Sequence, residues 1–230
     1  SLSSLLAGVI ITIVFLIFRA LFAVTPYGNA TDCIYTIIQT PLQSLTGNLP
    51  AFIIIILIAQ LLWFFGIHGS MTVLPILFPI WLSYIGDNTA AMAAGKTIPH
   101  VLNIGLWDLA NLGGSMFFKA KSNQYKSFGK LTLPCGIFSV NEPVIFGLPV
   151  ILNPIMLIPF IICPIVLVCL GYALIQFGIV TAPIGILGLG SMPPLISGIM
   201  QGSLSWGIYQ LVAVVISIII YYPFFKTIDN

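Results

Sequence analysis

Charge is what this sequence has least of. Only 5% of its 230 residues are Asp, Glu, Lys or Arg, 59% are hydrophobic, and mean hydropathy is +1.15. A soluble domain carries about a quarter of its residues charged. This chain cannot cover itself with polar groups, so it reads as an integral membrane protein. A formal charge of +2 offers no basic face for nucleic acid. Cys33, Cys135, Cys163 and Cys169 form no CxxC pair and no histidine-linked metal spacing, so they read as buried free thiols. There is no Walker loop, no glycine-rich nucleotide fingerprint and no catalytic triad in register. No metal or cofactor is therefore expected, and the chain has no means of energising transport by itself. No basic stretch precedes the first apolar run, which follows SLSS directly; the chain begins at the edge of a span and reads as the later part of a longer protein.

A crossing helix needs about 20 apolar residues. Four runs qualify, at roughly 5–25, 50–67, 152–178 and 204–224. Residues 26–49 are polar and turn-rich, with an amphipathic patch around CIYTIIQTPLQSL. After His68, Pro75 and Pro79 are expected to break any regular helix. Residues 86–106 and 180–200 are too polar to face lipid and too apolar for free loops. Re-entrant hairpins packed inside protein fit both. The fold class is thus all-α, with transmembrane helices and two re-entrant hairpins around a cavity.

Four of the seven basic residues, Lys119, Lys121, Lys126 and Lys130, sit in one twelve-residue loop. The excess of lysine places it in the cytoplasm. Counting spans outward from it puts Lys226 on the same side. Counting back puts Arg19 there too, provided residues 106–118 cross the bilayer. Thirteen residues span about 20 Å of a core about 30 Å thick. Residues missing near 114–118 resolve the mismatch.

Against this apolar background a few polar side chains stand out. Glu142, in FSVNEPVIFG, is the only glutamate. A carboxylate at membrane depth costs at least about 2.5–3.5 kcal/mol, so it faces a polar cavity. Asn141 adds an amide, and Pro143 breaks the local helix and frees backbone groups. His68, in WFFGIHGS, is flanked by Gly66 and Gly69, with Trp63 five residues back. A ring that stacks on a sugar's C–H face, beside carboxylate, amide and imidazole, suits a carbohydrate site. Lys96, His100 and Asn103 either line the first re-entrant element or serve structural bonds there. Asp87 and Asp108 flank that element and read as caps near the interfaces.

The segment LTLPCGIFSVNEPVIFGLPVILNPIMLIPFIICPIV closely resembles the signature of enzyme IIC. That protein is the membrane permease component of bacterial phosphoenolpyruvate-dependent sugar phosphotransferase systems, here of the lactose/cellobiose/diacetylchitobiose branch. WFFGIHGS, NIGLWDLANLGGS, MPPLISG and IIIYYPFFK fit the same family in the same order. The resemblance covers all 230 residues and identifies them as the later, sugar-binding half. The earlier spans, which supply the family's homodimer contact, would be absent. It implies a multi-pass protein of the bacterial plasma membrane that holds a disaccharide in a cavity among the spans and two hairpins. It also implies a phosphorylated cytoplasmic IIB partner that phosphorylates the sugar's 6-hydroxyl, with no phospho-accepting residue in this chain. The family's GIHG histidine matches His68, and its asparagine–glutamate pair matches Asn141 and Glu142. Substrate-binding residues are then His68, Asn141, Glu142, Trp63, His100 and Asn103, with Glu142 and His68 also placed at the chemistry. Where cellobiose-type members often carry a tryptophan before the Pro-Pro turn, Gly190 stands in GLGSMPP. Family members also continue for about ten more apolar residues after NLGGS. The alternative reading is an ion-coupled secondary sugar transporter with Glu142 as its proton site.

Overall fold

The computed structural model describes residues 2–29, 47–111, 120–147 and 150–229. Two compact units divide the chain, Ser1–Leu45 and Thr46–Asn230. The first contains helix α1 (Leu2–Ala23), apolar on every side, with Phe15 75% exposed. The patch expected at residues 33–45 and the gap near 114–118 fall outside the described residues.

The second unit is helical, with no strand among its described residues. Its elements are α2 (Leu49–Phe64), α3 (Gly69–Ala93), α4 (Ile104–Trp107) leading into a 3-10 turn (Asp108–Asn111), α5 (Asn123–Ile137) and α6 (Glu142–Gly147). After these come α7 (Pro154–Gln176), a 3-10 turn (Leu189–Ser191), α8 (Pro194–Met200) and α9 (Leu204–Ile228). By length and composition, α3, α7 and α9 are long and apolar enough to cross a membrane. Helix α2 has 16 residues, about 24 Å at 1.5 Å per residue, and is shorter than the core it would cross.

Two local readings of the sequence are corrected. Residues 69–93 form one helix through Pro75 and Pro79. Each proline removes one intrahelical bond, and the intact bonds on either side hold the axis in a setting with no water to compete. The lysine-bearing stretch is a loop only as far as Ser122. The Ser122 hydroxyl accepts from Tyr125 N at 3.1 Å and starts α5, which carries Lys126 and Lys130.

Short side chains set the close approaches. A Cβ at Gly69 would fall 1.9 Å from the Ala59 carbonyl oxygen of α2. One at Gly198 of α8 would fall 2.1 Å from the Gly207 Cα of α9. Phe52, Trp81 and Trp107 form a buried aromatic cluster joining α2, α3 and α4, with centroids 5.7–6.4 Å apart. At the other end of α2, Trp63 packs in a core with Ala120, Ile145, Val150, Met156, Phe160 and Phe225.

The irregular stretch 180–186 runs inside the unit, and its backbone is satisfied by side chains. The Gln201 Oε1 accepts from Gly185 N and Ile186 N at 2.8 and 2.9 Å. Asn88 Nδ2 donates to Ile184 O and His100 O, while Asn103 Nδ2 donates to Pro183 O and His100 O. All three amides are fully buried. Asn88 and Asn103 tie His100 to residues 183–184, and Gln201 ties residues 185–186 to the end of α8.

Candidate functional site

The sequence FSVNEPV stops one helix and starts another within five residues. Helix α5 ends at Ile137, and Ser139 takes φ +59°, a left-handed conformation that reverses the chain. Pro143 then stands in the first turn of α6, where its missing N–H is no loss. This sets Glu142 at the first position of α6, with Asn141 just outside. The Asn141 carbonyl oxygen accepts from Val144 N and Ile145 N. Its side-chain amide makes no hydrogen bond among the described residues.

His68 caps α3. Its Nδ1 accepts from Met71 N at 3.1 Å, and its carbonyl accepts the Thr72 hydroxyl at 2.9 Å. The cap orients the ring so that Nε2 lies 3.8 Å from Glu142 Oε1. That is too long for a hydrogen bond. Both side chains remain open, at 32% and 40% exposure. A neutral ring that accepts at Nδ1 carries its proton on Nε2. The pair is therefore a donor facing an acceptor across a gap.

Trp63 lies behind His68, with ring centroids 4.0 Å apart, and also meets the edge of Phe146 at 5.6 Å. It is 3% exposed, so its ring braces the imidazole and offers no open face. The exposed ring at this site is Phe146, 56% exposed and one turn along α6 from Glu142. Sequence reading passed over Phe146, although the four-residue spacing puts it on the face of Glu142.

His100 and Asn103 stand elsewhere, beside residues 180–186. The His100 ring stacks on Tyr84 at 3.9 Å and 5°, and its Nε2 is 3.0 Å from Asp87 Oδ2. The Asn103 Nδ2 serves two carbonyls, and its Oδ1 accepts from Gly105 N at 2.8 Å. Asp87 and Asp108, both expected as caps, also differ from each other. Asp87 pairs with His100, whereas the Asp108 side chain is buried and its Oδ2 has no hydrogen-bond partner.

The two broken elements meet. The Ser139 hydroxyl donates to Met192 O at 3.2 Å, joining the turn before Glu142 to the turn before α8. At the end of the unit near Trp63, Asp229 just beyond α9 accepts from Lys121 N and Ser122 N. Those amide hydrogen bonds, the larger being that from Lys121, hold its carboxyl below the usual carboxylate range. Lys121, Lys126 and Lys226 thus gather at one end.

A helical membrane protein with an open imidazole–carboxylate pair between broken elements is the class these features define. Residues 1–164 match the family model described as "Phosphotransferase system, EIIC". The chain is 36% identical over 232 residues to the lichenan permease IIC component of Bacillus subtilis (strain 168), covering 95% of this chain and 51% of that one. It is 35% identical over 244 residues to the cellobiose-specific EIIC component of Geobacillus stearothermophilus, covering 100% and 54%. Among solved structures it is similar to the transporter ChbC, the IIC component from the N,N'-diacetylchitobiose-specific phosphotransferase system. The TM-score is 0.80 at 35% identity, over 98% of this chain and 55% of that one. The chain belongs to the EIIC family of the phosphotransferase system, and it spans about half the length of the curated relatives it matches.

Proposed function

We propose that this chain is the sugar-binding half of a multi-pass EIIC permease of the bacterial plasma membrane. It takes a β-linked disaccharide and presents its 6-hydroxyl to a phosphorylated IIB partner. The observation that carries this reading is the 3.8 Å gap between His68 Nε2 and Glu142 Oε1, with the other ring nitrogen already occupied. A hydroxyl oxygen roughly 2.8 Å from each atom subtends an angle of roughly 90°, close enough to tetrahedral for it to accept from one and donate to the other. In that arrangement His68 is the donor and Glu142 the acceptor.

The chemistry follows from that polarity. The hydroxyl oxygen attacks phosphorus of the partner's phosphocysteine, the S–P bond breaks, and the thiolate leaves. The hydroxyl proton passes to Glu142. His68 keeps its proton throughout and holds the oxygen on line. Asn141, whose amide is uncommitted, bonds a neighbouring hydroxyl, and Phe146 lies against the C–H face. Trp63 acts through the imidazole it braces. His100 and Asn103 act at a distance, by holding the wall formed by residues 180–186. The lysines around Lys121 and Lys226 mark the end from which the anionic donor approaches. Residues 86–106 and 180–200 are the re-entrant hairpins in this reading, and the break before Glu142 lies against the second of them.

The test is Glu142→Gln in the full-length permease. The amide keeps the shape and loses the charge, and a charge-assisted hydrogen bond contributes about 1.5–3 kcal/mol. Cellobiose affinity by calorimetry should fall at least ~10-fold, and phosphorylation by phospho-IIB should fall further. Unchanged affinity with unchanged phosphorylation refutes the assignment. Uptake that needs a proton gradient and yields unmodified sugar would favour a secondary transporter instead.

A further inference from the structure

Among the described residues, none pairs with the Asp108 carboxylate. It is 8% exposed, and its Oδ2 is buried without a hydrogen bond. Neither of the two histidine–carboxylate pairs among the described residues includes it. An isolated carboxylate in apolar surroundings is costly, and folds retain one where a ligand completes it. What lies in front of it is Gly190. A Cβ there would come within 2.7 Å of Asp108 Oδ1 and 3.3 Å of Oδ2. The carboxylate is therefore aimed at the bare Cα of the second broken element, in the turn Leu189–Ser191. Two residues on, Met192 O takes the Ser139 hydroxyl, and Ser139 leads directly to Asn141 and Glu142. One continuous run of contacts thus joins Asp108 to the proposed sugar site.

We propose that Asp108 is a second substrate carboxylate, which accepts hydrogen bonds from a vicinal hydroxyl pair on the sugar ring that is not phosphorylated. This rests on the reading of Glu142 and His68 as the holder of the reacting hydroxyl, and extends it to the other ring. The ligand is a hydroxyl pair and not a metal ion because no cluster of three or more His, Cys, Asp or Glu lies among the described residues. A hard cation would need six or more oxygen ligands. Two adjacent hydroxyls match a carboxylate's two oxygens without bringing charge into the apolar interior. The turn at 189–191 must shift to admit them. It is preceded by Gly188, at positive φ (+82°) with open space around its Cα, where backbone rotation meets no side chain.

The test compares a disaccharide with a monosaccharide. Asp108→Asn in the full-length permease keeps the volume and removes the charge. Cellobiose affinity should fall about 10-fold, the loss of one charge-assisted contact, while glucose affinity stays as in the parent. Gly190→Ala, which presses a methyl group onto the carboxylate, should give the same split, and it decides the question if Asp108→Asn does not fold. Equal losses for both sugars, or no loss for either, overturn the proposal. Glu142→Gln, measured alongside, should weaken both sugars. If it weakens neither, the reading of the Glu142 site fails, independently of the result at Asp108.

Discussion

Two histidines in this chain face a carboxylate and lie against an aromatic ring, and they end in opposite conditions. His100 stacks flat on Tyr84 and meets Asp87 at 3.0 Å. The Asn88 Oδ1 accepts from its backbone N–H, and its carbonyl accepts from Asn88 and Asn103. His68 tilts against Trp63 and stops 3.8 Å short of Glu142. One trio is closed, and the other stops just beyond hydrogen-bond length, so that a hydroxyl oxygen seated beside both atoms can bond each. The same residue types build a clamp in one place and a receptor in the other. What differs is how the backbone is held. His100 is cross-braced to residues 183–184 by two buried amides, and a third, Gln201, holds residues 185–186. The turn 137–142 is held by its own backbone bonds to Cys135 and Gly136 and by a single side-chain bond from Ser139. Polar groups that are fully paired have no capacity left for a ligand, and those left unpaired do.

Breaking the closed region should give the largest effect. Asn103→Ala strips a partner from Pro183 O and from Gly105 N, and one of two side-chain donors from His100 O. Each buried group left unpaired costs about 1–3 kcal/mol. The thermal midpoint in detergent should drop by many degrees, with sugar affinity lost only as far as folding is lost. A folded Asn103→Ala protein with parental stability and selectively weakened cellobiose binding would make Asn103 a direct ligand after all.

The next effect separates the histidines. His68→Ala removes the Nε2 donor and the cap on Met71 N. Sugar affinity and phosphorylation efficiency should fall together, by roughly 1–3 kcal/mol for a lost buried partner. His100→Ala removes a half-exposed contact with Asp87 contributing about 0–1 kcal/mol and should leave affinity as it was. The contrast fails if His100→Ala weakens binding as much as His68→Ala, or if His68→Ala binds normally and only phosphorylation is lost. The latter would make His68 an element of the transition state alone.

Much of this was legible in the sequence, and unevenly so. The membrane class followed from 5% charge. The break at Asn141–Pro143 followed from proline chemistry, as did the singular position of Glu142. The pairing of Glu142 with His68 came only through the family resemblance, because 74 residues and several helices separate them. Only the cap of α3 and the first turn of α6 bring them together. Trp63 and His68, five residues apart, read as two faces of a sugar site. The turn at Gly66, with φ +80°, instead folds the imidazole back onto the indole and buries it. Asp108 and Asp87 were read alike because position relative to a helix end does not reveal burial. Pro75 and Pro79 misled because proline's helix penalty presumes that the chain has somewhere better to go.

The smallest effect concerns a carboxylate that is closed without any histidine. Asp229 accepts from two backbone amides, of Lys121 and Ser122, and is partly exposed. These donors favour the charged form, so the folded pKa lies below that of the unfolded chain, about 3.9. A group depressed in this way supports the fold above its unfolded pKa and ceases to as the pH falls through its folded one. The tie between the end of α9 and the start of α5 should thus be constant from pH 8 down to about 4 and open only below that. Spin labels on Gln124→Cys and Thr227→Cys would report it as a distance that is flat across neutral pH and widens in acid. With Asp229→Ala added, the distance should be wide at every pH. Widening between pH 5 and 7 in the parent would mean that a histidine, not Asp229, controls this end. The separation between closed and open trios would then no longer describe where the molecule responds to protons.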